Sequence, residues 1–416
     1  MPKSATSARP ALKLVSADDA LARILDGVPA LPAVEAPLLD ALGLVLAEDV
    51  AADHDVPPFR NSAMDGYAVR GDDVASAPVE LRVVGEIAAG GFPQGEVGPG
   101  EAMRIMTGAP MPAGADTVVR FEDTDNASDV VTITAATPRG MAVRQAGEDV
   151  RKGETILTKG AVLRAAEIGL LASDGRASVR VRKRPRVAVF STGDEIVDLD
   201  APLEPGQIRD SNRYTLASAI RASGAEPWVR GIVRDSPDAL RSALREAGAA
   251  DAIVTSSGVS VGDHDHMKPV LAELGTIDFW AIAIRPGRPL AFGELKDGER
   301  RVPIFGLPGN TVSALVTFEL FVRPALLRMQ GRGNVARPRA KARLLDPVDK
   351  PDFLRVFARG IHDPDAGTVR LTGPQGSGIL RSMSLANCLI DLPVGPSRIE
   401  KGETVDVILT EQPESR

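Results

Sequence analysis

The chain of 416 residues holds one cysteine, four histidines, two tryptophans and two tyrosines. With Cys388 alone, no intrachain disulfide can form, and a thiolate-rich zinc or iron–sulfur centre is excluded. Four imidazoles make a histidine-rich metal centre a poor expectation as well. Aromatic residues reach only 4% of the chain, too few for a platform that stacks unpaired bases. No run approaches the ~18 continuous apolar residues of a membrane-spanning helix. Residues 1–15 lack the apolar stretch of a secretory signal. The 49 basic and 56 acidic residues give a net charge of −7, the wrong sign for a general nucleic-acid binder. A cytoplasmic protein with neither a membrane nor a nucleic-acid partner is therefore expected.

What the chain does contain fits a soluble globular protein: 44% hydrophobic and 25% charged residues, with 40 Gly and 32 Pro scattered at turns. The length predicts two to four domains. The first fifty residues read as helical, with Ser16 as an N-cap ahead of Ala20, Leu21, Ile24 and Leu25 at helical spacing. Residues 51–149 read as β-rich, because Val-rich segments such as 79–87 and 130–135 alternate with Gly/Pro/Asp turns. Residues 150–182 carry a Gly-punctuated strand and a helix over 164–173. They are expected to fold back on the N-terminal helices, so that 1–50 and 150–182 form one helical and extended domain. From 183 to 331 short apolar strands alternate with helices, which predicts an open, mostly parallel α/β sheet. Helices are expected over 212–223, 236–247 and 265–274 and from Asn310, and strands over 228–233, 252–255, 277–284 and 302–306. Residues 332–416 read as an all-β domain, a small barrel or sandwich.

Three loops follow predicted strands of the α/β domain: Ser191-Thr-Gly-Asp-Glu195, Ser256-Ser-Gly-Val-Ser-Val-Gly-Asp263 and Gly306-Leu-Pro-Gly-Asn310. In open α/β sheets, ligands bind beyond the carboxyl ends of the strands, where Gly lets backbone approach and helix N-termini offer N–H groups to anions. Three such loops at one edge favour a phosphate-bearing ligand. None matches a P-loop or a dinucleotide fingerprint. Asp194, Glu195, Asp235, Asp263 and Asp265 accompany them, hard oxygen donors of the kind that suit Mg²⁺. For Asp235 an ordinary cap serves equally well. Arg285-Pro-Gly-Arg-Pro289 could present two guanidinium forks to a tetrahedral oxyanion, although by itself a solvated turn is the better reading. His54, His264 and His266 have no metal-ligand spacing, and Cys388 reads as a small buried hydrophobe.

Seven motifs occur in order: Asn61-Ser-Ala-Met-Asp-Gly-Tyr-Ala68, Arg104-Ile-Met-Thr-Gly-Ala-Pro110, Gly147-Glu-Asp149, Phe190-Ser-Thr-Gly-Asp-Glu195, Gly206-Gln-Ile-Arg-Asp-Ser-Asn212, Gly258-Val-Ser-Val-Gly-Asp263 and Gly306-Leu-Pro-Gly-Asn310. Together they resemble the bacterial molybdopterin molybdenumtransferase (MoeA) family, to which the E domain of gephyrin also belongs. The resemblance runs from about residue 16 to about residue 410. It implies a four-domain homodimer that converts molybdate and adenylylated molybdopterin to molybdenum cofactor and AMP with Mg²⁺. It further implies catalytic roles for Asp65, Thr107, Asp149, Glu195, Asp235 and Asp265, with Glu195 and Asp265 on the metal. Substrate contacts are implied for Ser62, Gly193, Gly258, Ser260, Gly262, Arg285, Arg288, Pro308, Gly309, Asn310, Arg355 and Ser377 or Ser382. Molybdopterin adenylyltransferase and molybdoenzyme apoproteins are the implied partners. Arg285 and Arg288 replace the family's usual Lys, Ser257 replaces a Gly and Thr311 replaces a Pro. Those departures leave room for a tungstate-preferring paralogue or a molybdopterin-binding scaffold of reduced activity.

Overall fold

Strand β1 (Leu14–Val15) and helix α1 (Ala17–Asp26) open the structure, a computed structural model that describes residues 14–88, 90–257 and 266–410. Ser16 has extended backbone and its hydroxyl accepts the Asp19 N–H, while Asp18 and Asp19 place negative charge at the positive end of the helix dipole. The helical reading of the first fifty residues fails beyond Gly27. Pro29, Pro32 and Pro37 remove amide donors there, and short extended pieces at Ala33–Pro37 and Val50–Ala51 take over.

The described residues fall into two compact units, 35–42 with 46–180, and 14–34 with 43–45 and 181–410. The first unit is built on a sheet of β2 (Gly66–Val69), β3 (Val79–Ile87), β4 (Glu101–Ile105), β5 (Thr117–Arg120) and β6 (Val130–Ile133). Their order is β5-β2-β4-β3-β6, antiparallel except between β3 and β4. Successive side chains alternate in direction along a strand. Tyr67, Val69, Val119 and Val131 therefore fill one core, and Ala68, Met103, Ile105 and Val118 fill a second on the opposite face. Helix α2 (Ala165–Ser173) lies where expected. The stretch after residue 150 does return to the early chain, but onto a strand rather than a helix: Thr155 pairs with Ala51 and Leu157 with Val50.

The second unit contains the α/β sheet. Its parts are β7 (Arg186–Thr192), α3 (Ser211–Ala222), β8 (Glu226–Val233), α4 (Pro237–Ala247), β9 (Ala252–Ser256), α5 (Met267–Leu274), β10 (Gly275–Ile282), β11 (Pro289–Asp297) and β12 (Arg300–Leu307). The order is β1-β10-β11-β12-β9-β7-β8. Pairing is parallel from β12 through β8 and between β1 and β10, and antiparallel on both sides of β11. Strand β11 escapes the sequence reading because Pro289, Glu294, Lys296 and Asp297 mask its short apolar run. The helix expected from Asn310 is continuous: α6 (Thr311–Thr317), a π-helical turn over Phe318–Val322, and α7 (Arg323–Met329). The wide turn comes just before Pro324, which has no N–H to give to the preceding turn. Helix α1 packs here, with Ala17, Ala20 and Ile24 in the same core as Phe318, Phe321 and Ala325.

The chain ends in a closed five-stranded barrel of β13 (Arg339–Leu344), β14 (Arg355–Asp363), β15 (Thr368–Leu371), β16 (Cys388–Leu392) and β17 (Thr404–Leu409), in ring order β14-β15-β13-β17-β16 with β16 again beside β14. One short helix, Leu380–Leu385, interrupts the expected all-β pattern. Val356, Ala358, Cys388, Ile390 and Val407 fill the barrel. Phe357, Leu389 and Ile408 point the other way and join the α/β core, tying the barrel to the sheet. Burial pushes the Cys388 thiol up to about 12, as befits a small hydrophobe.

Candidate functional site

The carboxyl ends of β7, β9 and β12 are level, since Ser191 pairs with Ser256 and Ser256 with Leu307. Their loops open on a cavity of about 360 Å³ lined by Glu195, Ser211, Asn212, Ser257, Gly309, Asn310 and Thr311, among others. Asp210 caps α3 by accepting the Arg213 N–H, and Asn310 starts the long helix, so two helix N-terminal turns border the same space. This is the edge expected to meet an anion. Glu195 lines it with a carboxylate that makes no ion pair among the described residues. Gly193, at φ +141, holds a backbone conformation that favours Gly, and it lets the Glu195 carboxylate lie against it, 2.6 Å from where a Cβ would be. Pro308 precedes Gly309 in the third loop. Asp235 lies past the end of β8, exposed, with its N–H donating to Asp194 at 3.4 Å, and it does not line this cavity. Gly258, Ser260, Gly262 and Asp265 lie outside the described residues.

Asn212 ends the Gly206–Asn212 motif, and nothing in its residue type marks it as a site residue. It is 7% exposed, and its amide nitrogen donates to Ser256 Oγ and to the Gly309 carbonyl, both at 2.6 Å. A carbonyl can only accept, so this contact fixes which end of the amide faces Gly309. One side chain thus staples the start of α3 to two strand-end loops. The chain's departures from the family pattern also meet here. Ser257 holds left-handed backbone at φ 76, a conformation that favours Gly. Thr311 begins α6 as Pro would, and its hydroxyl lies 3.3 Å from that of Ser211, a contact Pro could not make.

A second cavity, of about 330 Å³, lies under the Arg285–Pro289 turn and is lined by Arg285, Gly287, Arg288, Ser313 and Ser377, among others. The Arg288 carbonyl accepts the Ile282 N–H and closes the turn. Gly287, at φ +99, rests against α6: a Cβ there would sit 2.5 Å from Thr317 Cγ2. Both arginines are exposed, and neither forms an ion pair among the described residues. The first turn of α6 joins the two cavities, with Thr311 in one and Ser313 in the other.

Arg355 has a different setting from the one the resemblance implied. Its guanidinium donates twice to Asp391, at 2.7 Å each, and reaches Asp18 at 3.0 Å, which raises its pKa further. Four residues on, Arg359 is 1% exposed and donates to Ser382 Oγ and the Gly376 carbonyl, with no carboxylate partner among the described residues. Burial, and then the charge of Arg285, push it down to about 10. The spacing Arg-Val-Phe-Ala-Arg places both arginines on one face of β14. Depth of burial and carboxylate partners distinguish them, and sequence shows neither. Ser377 lines the turn cavity, whereas Ser382 supports Arg359.

The first unit brings Asp65 and Thr107 together. Both the backbone N–H and the hydroxyl of Thr107 donate to Asp65 Oδ1, at 2.6 and 2.7 Å, and hold that carboxyl below its ordinary pKa. Ser62 is fully buried, its hydroxyl donating to the Met64 carbonyl, so it shapes the turn that presents Asp65. Asp149 lines a separate opening of about 470 Å³ with Val56, Pro57, Arg144 and Glu148. Among the described residues no cluster of three or more His, Cys, Asp or Glu could hold a metal, and no helix is long and apolar enough to cross a membrane.

Three family models match successive stretches of the chain: the MoeA N-terminal region (domain I and II) at residues 15–175, a probable molybdopterin binding domain at 188–328, and the MoeA C-terminal region (domain IV) at 340–410. A molybdopterin molybdenumtransferase of Nostoc sp. is 41% identical over 88% of this chain and 86% of its own. One from Haemophilus influenzae is 37% identical over 95% of this chain and 98% of its own. Two crystal structures of a molybdopterin biosynthesis MoeA protein from Pyrococcus horikoshii superpose with TM-scores of 0.81 and 0.79, at 34% and 30% identity, covering 96% and 95% of this chain and 100% of each of theirs. With relatives this similar over nearly the whole of both chains, the chain belongs to the MoeA family of molybdopterin molybdenumtransferases.

Proposed function

We propose that this chain inserts molybdate into adenylylated molybdopterin and releases AMP, a step of molybdenum cofactor biosynthesis. The observation that carries the reading is the pair of cavities joined by the first turn of α6, one at the strand ends and one lined by Arg285 and Arg288, neither of which forms an ion pair among the described residues. The pyrophosphate belongs in the first, where Gly309, Asn310 and the α3 N-terminus offer N–H donors. The molybdate dianion belongs in the second, against Arg285 and Arg288, with Arg359 and Ser382 behind them.

An oxygen of molybdate or of water attacks the adenylyl phosphorus, and the anhydride bond to the molybdopterin phosphate breaks, its electron pair staying on that phosphate. With molybdate as the attacking group, the Mo–O bond to that oxygen then breaks as the molybdenum bonds to the two dithiolene sulfurs, and AMP leaves with the oxygen. With water, the oxygen leaves in AMP and its proton goes to solvent. Such a displacement needs charge neutralisation and positioning more than a covalent nucleophile. That accords with a chain that has one buried cysteine and four histidines. Thr107 holds Asp65 below the ordinary carboxyl range, so that group stays ionised and is a weak base. Catalytic roles for Asp65, Thr107, Asp149 and Asp235 belong to the same proposal. Magnesium, which takes hard oxygen donors together with phosphate oxygens, would neutralise the pyrophosphate. Glu195 suits that role, with Asp265 as its proposed companion.

The reading also includes the four segments 1–50 with 150–182, 51–149, 183–331 and 332–416, a homodimer, a cytoplasmic location, and hand-over from molybdopterin adenylyltransferase to molybdoenzyme apoproteins. Purified protein given adenylylated molybdopterin should release AMP when molybdate is added. Release with tungstate alone would mark a tungstate-preferring paralogue, and no release with either anion would refute the enzymatic reading in favour of a scaffold.

A further inference from the structure

A third cavity, of about 290 Å³, opens against the barrel on the other side of Arg285. Arg285, Asp349, Lys350 and Arg359 are the charged groups of its lining, together with Gln375 and apolar residues such as Val356 and Leu371. Two of these cations are almost wholly buried, Lys350 at 5% and Arg359 at 1% exposure. Neither has a carboxylate partner among the described residues. Lys350 Nζ donates only to the carbonyls of Pro351 and Leu354, at 3.3 and 3.5 Å, and the Arg359 guanidinium only to Ser382 Oγ and the Gly376 carbonyl. The single acid of the lining, Asp349, is taken by Arg398 at 3.0 Å.

Buried cations are normally paired, because an isolated charge away from water is costly. Here two of them share one small cavity with a third cation at its mouth. An ammonium held by two long contacts also keeps donor capacity, since it carries three N–H groups. Burial lowers the pKa of Lys350, and the charge of Asp352, which forms no ion pair with it, offsets this only in part. From this arrangement we infer that Lys350 is a further oxyanion-binding residue, which together with Arg359 and Arg285 makes the barrel-side cavity an inner anion pocket continuous with the turn cavity. The inference rests on the proposed assignment of the Arg285–Pro289 turn to molybdate. It adds a residue that neither the sequence motifs nor the turn itself singles out. Arg285 and Gln375 line both cavities, so an oxyanion could pass between them without leaving positive charge.

The test is titration of the intact protein with sodium molybdate alone, followed by calorimetry, for the parent and for K350M, K350R and R288A. K350M should weaken molybdate binding at least tenfold, and K350R should restore most of it. Circular dichroism of each variant confirms that the barrel has folded. If K350M destroys the fold, K350Q replaces it. Parent-like affinity in K350M or K350Q, alongside loss in R288A, would overturn this inference and leave the turn assignment standing. No molybdate binding by the parent would overturn both. Equal weakening in K350M and K350R would make Lys350 a strut for the Pro351 and Leu354 carbonyls and not a ligand for the anion.

Discussion

Replacing Asn212 with aspartate exchanges one NH₂ group for an oxygen and changes almost nothing in shape. In the parent, that NH₂ lies 2.6 Å from the Gly309 carbonyl and 2.6 Å from Ser256 Oγ. N212D places a carboxylate oxygen against a carbonyl oxygen at a site only 7% exposed. A lost hydrogen bond costs about 0.5–1.5 kcal/mol and an uncompensated buried acceptor about 1–3 kcal/mol, and buried charge adds to this, so the loss should be about 3 kcal/mol or more near neutral pH. Once protonated, the introduced carboxyl can donate to Gly309 again. Burial and the facing carbonyl raise its pKa above the ~3.9 of an unfolded aspartate. The folded state then binds more protons than the unfolded state, so the variant's stability relative to the parent is greatest below about pH 4 and falls as pH rises through the raised pKa. Urea unfolding followed by tryptophan fluorescence is the assay, because Trp228 and Trp280, the only two tryptophans, both lie in the unit that contains the site. A stability deficit that does not vary with pH, or a variant as stable as the parent at neutral pH, would refute the staple.

G287A must place a methyl group at φ +99 and within 2.5 Å of Thr317 Cγ2, so it should cost about 2 kcal/mol or more and weaken molybdate binding, both measurable by denaturation and calorimetry. T107V removes one of the two donors to Asp65, so that carboxyl should titrate closer to its ordinary value yet still below it, as read from its carboxyl carbon resonance. Cys388, buried with its thiol pushed up to about 12, should stay inert to a disulfide reagent in the native protein and react promptly in guanidinium chloride.

The elements most legible in the sequence are those with both a cap and a period. Ser16 before α1 and Ser236-Pro237 before α4 mark helix starts to the residue. The level edge of β7, β9 and β12 follows from three apolar runs, each ending in a Gly-containing loop. Strand β11 was missed because its charged half hides its apolar half. The roles of Arg355 and Arg359 were not separable, since pairing with Asp391 and Asp18 depends on contacts distant in sequence. Lys350 left no mark at all, because nothing in Val-Asp-Lys-Pro announces a buried ammonium.

The central claim is that the strand-end cavity takes the pyrophosphate and the arginine-lined cavity takes the oxyanion. It is tested most directly by steady-state AMP release from R288A, with molybdate and adenylylated molybdopterin varied separately. KM for molybdate should rise at least tenfold while KM for adenylylated molybdopterin stays near the parent value. An unchanged KM for molybdate, or an equal rise in both constants, would contradict it.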